Sequence, residues 1–192
     1  MTTRLAGRRR GFTLIEILIV VVLIAVVAGF AVPKLNISKF KADAAARVVV
    51  STLQIAERTA VQRQHDVAVS FDLTRNRMRI HEDRDNDRSL DSGEPVRYKN
   101  LEEGARFRTP PRSLGGGTTG LAAITGADVR TIDGMPTIII HRDGSTNTSA
   151  EIFLTSARTN LGDFRGIRLT QATGRLTWWI YNTSGSWTEM GR

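Results

Sequence analysis

One stretch limits this chain more than any other. From Phe12 to Val32 the sequence reads FTLIEILIVVVLIAVVAGFAV, 21 residues with a single charge, Glu16. As a helix it is about 31 Å long, enough to span the hydrocarbon core of a bilayer. A secretory signal peptide has a shorter apolar region that ends at a small-residue cleavage site. This run is too long for that, and no such site follows it. Arg4, Arg8, Arg9 and Arg10 precede the run with no acid among them, which favours a cytoplasmic N-terminus. Lys34, Lys39 and Lys41 beyond it oppose that asymmetry. Glu16 is the anomaly, since a carboxylate in lipid costs about 3 kcal/mol unless it finds a partner. Two readings stand: Glu16 reaches interfacial water near the helix end, or it pairs with a positive group on a neighbouring chain.

The junction RRRG followed by FTLIEILIVVVLIAVVAGFAVP resembles the class III signal of type IV pilins and type II secretion pseudopilins. The resemblance implies cleavage between Gly11 and Phe12 by a membrane prepilin peptidase, with N-methylation of Phe12. It also implies that Glu16, fifth in the mature chain, meets the free amine of Phe12 on an adjacent subunit. Gly29 and Pro33 near the end of the run predict a kink or a loosened helix.

Past Pro33 the period stays helical. Ala42, Ala45, Ala46, Val49, Leu53, Ala56 and Ala60 form a narrow apolar stripe, with Arg47, Ser51, Gln54 and Arg58 opposite. The small residues suggest close approach to a sheet. Beyond His65 the period becomes two, in runs around 67–72, 77–81, 96–99, 105–108, 137–141, 151–154, 166–170 and 175–181. Arg142-Asp143-Gly144 and Ala172-Thr173-Gly174 read as turns, and 109–120 as a mobile loop. That loop lacks the Gly-Lys-Ser/Thr ending of a phosphate-binding loop. In the last strand Leu176, Trp178 and Ile180 share one face and Trp179 and Tyr181 the other, which lies under the tail with Trp187 or against another subunit.

The fold class is therefore α+β: a long N-terminal helix, transmembrane in its first half and amphipathic in its second, packed on antiparallel β-sheet in the manner of pilins. The divisions are a leader at 1–11, an assembly helix at 12–33, an amphipathic helix at 34–65 and a β domain at 66–192. The tail TIIIHRDGSTNTSAEIFLT and then GIRLTQATGRL resembles the H-type (FimT-like) minor pseudopilins, although HRDG departs from their more apolar, proline-containing form.

Two constellations outside the N-terminus carry chemistry. In EDRDNDRSLDSGEP, Asp83, Asp85, Asp87, Ser89, Asp91 and Glu94 take positions 1, 3, 5, 7, 9 and 12 of a calcium loop. Arg88 stands where such a loop needs glycine, and the alternative is an acidic, solvated turn. Arg77, Arg79, Arg97, Lys99, Arg106, Arg108 and Arg168 are expected on outward strand faces, as a basic surface for phosphates or merely for solubility.

The net charge is +8, but setting aside the four leader arginines leaves 23 basic against 19 acidic residues, so about half of the excess belongs to the leader. Cysteine is absent, which excludes disulfides and thiolate metal sites. His65, His81 and His141 have no metal-ligand spacing and read as ordinary surface residues. Neither a Gly-x-Ser-x-Gly motif nor a nucleophile with a paired base is visible, so an enzyme is not expected. The expected function is that of a minor pseudopilin in the type II secretion pseudopilus. The resemblance implies partners in other pseudopilins, the prepilin peptidase and an inner-membrane assembly platform. It implies one inner-membrane pass with a periplasmic domain. The alternative is a minor pilin that binds DNA for uptake.

Overall fold

The computed structural model describes residues 11–31, 37–87, 89, 91, 93–101 and 104–190. The leader arginines, Pro33, Lys34 and Arg88 lie outside the described residues. The chain divides into two compact units at Asn36/Ile37.

The first unit contains helix α1, Leu14–Ala31. The helix runs unbroken through Gly29 and has no polar face, because leucine, isoleucine and valine recur at every angle around it. Its 18 residues make about 27 Å of helix. Among the described residues no helix is long and apolar enough to cross a membrane. The 21-residue apolar run extends beyond α1 at both ends: Phe12 and Thr13 precede the helix, and Val32 is outside the described residues.

The second unit is one long helix, α2 (Ile37–Arg63), on two antiparallel sheets. The first sheet has the order β3-β2-β1-β7-β6, built from β1 (Asp66–Asp72), β2 (Arg77–Asp83), β3 (Val96–Asn100), β6 (Arg130–Ile132) and β7 (Met135–Ile140). The second has the order β11-β10-β9-β8-β4, with β5 beside β4 along the same edge of β8. Its strands are β4 (Ala105–Phe107), β5 (Ile124–Gly126), β8 (Ala150–Ser156), β9 (Arg165–Leu169), β10 (Leu176–Tyr181) and β11 (Trp187–Glu189).

All seven apolar residues predicted on the helix stripe are buried. Five of the seven are alanines, whose methyl side chains let α2 lie close over both sheets, against Val67, Val69, Phe71, Ile138 and Ile140 of one and Ile152, Leu154, Ile167 and Leu169 of the other. Phe71 and Phe107 meet edge to face at 5.5 Å. Arg165 of β9 lies inside this packing and ties it to the helix: its Nε donates to Asp43 Oδ1 at 2.6 Å, and Nη1 donates to the carbonyls of Gly162 and Phe164.

The second sheet's other face is closed by the tail and the 109–120 loop. Trp187 packs 5.0 Å from Tyr181 and 5.5 Å from Phe153, and its Nε1 donates to the Arg112 carbonyl. Leu114 and these rings press so closely on Gly166 that a Cβ there would sit 2.7 Å from Leu114 Cδ2. On the second face of β10, Tyr181 is thus covered by the chain's own tail, while Trp179 is half-buried beside Arg168.

The first sheet departs from simple alternation. β1 is buried on both faces, including Ala68, Ser70 and Asp72, which alternation alone places outward. Long-range partners cover that second face. Arg79 donates to Asp133 in the β6–β7 turn, His81 meets Glu94 of the β2–β3 loop, and Asn86 accepts from the Asp66 amide.

Candidate functional site

The residues around the expected cleavage point are accessible. Gly11, Phe12 and Thr13 precede α1 and are exposed, and no atom lies within 4 Å of where a Gly11 Cβ would be. Glu16 has a local role that the lipid argument missed. Its Oε2 accepts from the Thr13 amide at 3.4 Å, while the Thr13 hydroxyl accepts from the Glu16 amide at 3.3 Å. Together these contacts form a capping box that satisfies two free amides at the start of α1. The signal for it, Thr-x-x-Glu before an apolar run, stands in the sequence.

The acidic loop is only partly assembled as a cation site. Ligand oxygens of Asp83, Asp85 and Asp87 lie within 4.8 Å of one another. The Asp87 amide donates to Asp83 and Asp85, and the Ser89 amide donates to Asp87. Glu94 is turned elsewhere: it accepts from His81 Nε2 at 2.5 Å and from the amides of Arg84 and Asp91. Burial pushes its carboxyl up, but these hydrogen bonds outweigh burial and hold it below the usual range. Asp91 is raised instead, first by the charge of Asp87 and then by burial, Asp85 and Glu94. His81 offsets these like charges only in part. Ser89 and Asp91 are described only in their contacts with Asp87 and Glu94, and Arg88 falls outside the described residues.

The expected basic surface is not brought together. Arg79 is buried and bound to Asp133. Arg77 is taken by Asp72 and stacks on Tyr98 at 4.2 Å. Burial raises Asp72, yet the Arg75 amide and the Arg77 and Arg75 guanidiniums outweigh it, so its carboxyl is lowered. Arg97 and Lys99 pair in register with Ile80 and Met78 on the helix side of the first sheet, and Arg97 reaches Glu82. Arg106 and Arg108 belong to the β4 edge of the other sheet, and Arg168 is held by Glu151. Most of these cations are neutralised, and they are spread over several faces.

The histidines are not the surface residues that their spacing suggested. His65 lies 3.7 Å from Glu82, His81 is buried against Glu94, and His141 Nδ1 lies 2.8 Å from Asp66 Oδ2. All three close the same end of the first sheet. His141, held by Asp66, lines a cavity of about 650 Å³ with Ser145 and Ser149. The Ser145 hydroxyl donates to Asp143, however, and among the described residues neither serine hydroxyl is hydrogen-bonded to the His141 ring. This arrangement does not activate a nucleophile.

An exposed Gly-Phe junction before an apolar helix, and a long helix on antiparallel sheets, define a pilin-like fold. The comparisons agree. Residues 7–32 match the prokaryotic N-terminal methylation motif, and residues 45–174 match type II transport protein GspH. The chain belongs to the type II transport protein GspH family. It is a minor pseudopilin of type II secretion, within a family of structural subunits. Among solved structures, it is similar to the minor pseudopilin EpsH from the Type 2 Secretion System of Vibrio cholerae, at 9% identity and a TM-score of 0.45. That match covers 79% of this chain and 97% of the other. No curated protein matches the chain.

Proposed function

We propose that this minor pseudopilin is made as a precursor, loses residues 1–11, and enters a short helical filament with other pseudopilins. The observation that carries this reading is the union, in one chain, of the methylation motif and the GspH-type β domain. The apolar helix anchors the precursor in the inner membrane with its N-terminus cytoplasmic and the β domain periplasmic. A prepilin peptidase and an assembly platform act on it there. After cleavage the Phe12 amine is free, and Glu16 of a neighbouring subunit exchanges its cap for that charge. Heterologous contacts of this kind build an open helical filament when the rotation between subunits does not close a ring. Nothing in the placement of Arg77, Arg79, Arg97, Lys99, Arg106, Arg108 and Arg168 favours DNA uptake. Deletion of the gene in its host is expected to abolish export of type II substrates and to leave transformation by DNA unchanged. Loss of transformation with export intact would reverse the assignment.

The acidic loop takes calcium weakly, through Asp83, Asp85 and Asp87. Loops of this kind bind at roughly 10⁻⁴ to 10⁻³ M. A severalfold excess over Kd stabilises the folded state by about 1 kcal/mol. Millimolar calcium should therefore raise the melting temperature by a few degrees, and magnesium by less. Asp85→Asn should remove that rise. Glu94→Gln should lower the melting temperature without calcium but keep the rise, because Glu94 serves His81 and the loop amides. A melting temperature unmoved by calcium leaves the loop as a solvated turn.

A further inference from the structure

We infer that the outer edge of β3 is a docking site for an extended segment of a partner protein that alternates acidic and apolar residues and adds to the first sheet as a further strand. The site lies wholly in the unit from Ile37 onward. β3 ends the first sheet and pairs only with β2. Its residues Arg97 to Asn100 are exposed. Among the described residues, the backbone groups of β3 that face away from β2 have no hydrogen-bond partner. Such a row of open amides and carbonyls is a template for another strand. Cations on an edge strand ordinarily do no more than discourage self-pairing, but here a groove runs beside the edge as well. It holds about 300 Å³ between β3 and α2. Ile55 of α2, 58% exposed, and the half-buried Ile80 of β2 give it an apolar lining. Ser51, Thr52 and Thr59 line it too, but each donates its hydroxyl hydrogen to a carbonyl of the helix itself. The helix wall therefore offers an occupant carbon rather than donors.

Charge decides which strand fits. An added strand lies about 4.8 Å beyond β3, and its side chains on the helix face reach the groove. Arg97 stands there with its side chain 63% exposed. Its one ion-pair partner among the described residues is Glu82, at 3.4 Å, which Arg63 holds more closely. Glu82 is also the one acid that lines the groove among the described residues. A residue set opposite Arg97 is therefore best matched when it is acidic. The other face of the added strand passes Tyr98, which is 53% exposed and stacked with Arg77, and an apolar side chain suits that place. A second copy of the chain is a poor match. Antiparallel β3–β3 pairing with both helices on one face sets Arg97 and Lys99 against each other or against themselves, and like charges directly opposite are destabilising.

The probe is a fluorescein-labelled peptide of about seven residues that alternates glutamate and valine, long enough to cover β3. It is titrated against the full-length chain in detergent micelles and read by fluorescence anisotropy. Saturable binding is expected, with slower hydrogen–deuterium exchange over 96–100 in the bound chain. The same peptide with lysine in place of glutamate should not bind. Methylating the amide nitrogens at one alternate set of peptide residues should abolish binding, and methylating the other set should leave it, because only one edge of the added strand faces β3. Arg97→Gln should weaken binding about twofold to fivefold. Ile55→Asp should remove it by placing an acid in the groove, and should leave the melting temperature near native because the position is exposed. Absence of saturable binding, or binding without slower exchange over 96–100, would overturn the site. Equal binding of the two methylated peptides would reduce the contact to charge alone and overturn strand addition. Native affinity in both Arg97→Gln and Ile55→Asp would overturn the groove. Protection of 96–100 that grows with protein concentration in the absence of peptide would assign the edge to a second copy instead.

Discussion

Glu16→Gln is expected to be cleaved like the native chain and to enter filaments as poorly as Glu16→Ala. The two variants separate two roles of one carboxylate. Glutamine keeps the capping box, because its side-chain oxygen accepts from the Thr13 amide as the carboxylate does. It cannot compensate the charge of a free Phe12 amine on the next subunit. A charge left unpaired in an apolar surrounding costs about 3 kcal/mol, a loss of roughly a hundredfold in the assembly equilibrium. Thr13→Val removes the hydroxyl half of the box at a cost of about 1 kcal/mol and spares the charge. It should therefore assemble at near-native levels. Quantitative recovery of subunits from isolated filaments reads all of these. Normal incorporation of Glu16→Gln would mean that the box, and not the charge, is what Glu16 supplies.

The second large effect lies in the unit from Ile37 onward. Asp43→Ala should destabilise it by about 3–5 kcal/mol, because the Arg165 guanidinium then remains buried without its counter-charge. The side chain of Arg165 is 2% exposed against 28% for Asp43, so water reaches the guanidinium only through the place Asp43 vacates. A shift of about 10 °C or more in melting temperature follows for a domain of this size. Adding Arg165→Met to Asp43→Ala should recover part of that loss, since an apolar side chain of similar length needs no counter-charge. A double variant less stable than Asp43→Ala alone would contradict this account of the pair. Because Asp43 is on α2 and Arg165 on β9, the result also measures how firmly the helix is held on the second sheet.

Much of this architecture is legible in the sequence, and the exceptions have physical causes. The stripe from Ala42 to Ala60 appears because a helix buried on one face must repeat its small apolar residues every three or four positions. The methylation motif at residues 7–32 is legible because its residues are contiguous in the chain. What the sequence conceals is distant pairing. His141 and Asp66 are 75 residues apart, and Arg79 and Asp133 are 54 apart. No spacing rule connects such positions, so His81, Arg79 and their strand neighbours read as outward when loops in fact cover them. The β6–β7 hairpin was discoverable. Asp133-Gly134 takes positive φ at both residues, the turn that an Asp-Gly pair favours. Its flanks are too short, and Pro136 too disruptive, for the alternation to stand out. The Glu94 clasp on His81 was hidden by the regular acid spacing of the loop, which makes every carboxylate look like a ligand.

The central claim, that this chain is a processed pseudopilin, turns on its N-terminus. The direct measurement is the intact mass, with N-terminal peptide sequencing, of the protein recovered from membranes and filaments of its own host. Loss of residues 1–11 and a methylated Phe12 amine are predicted. A chain recovered from filaments with Met1 or any leader residue still attached would contradict the account.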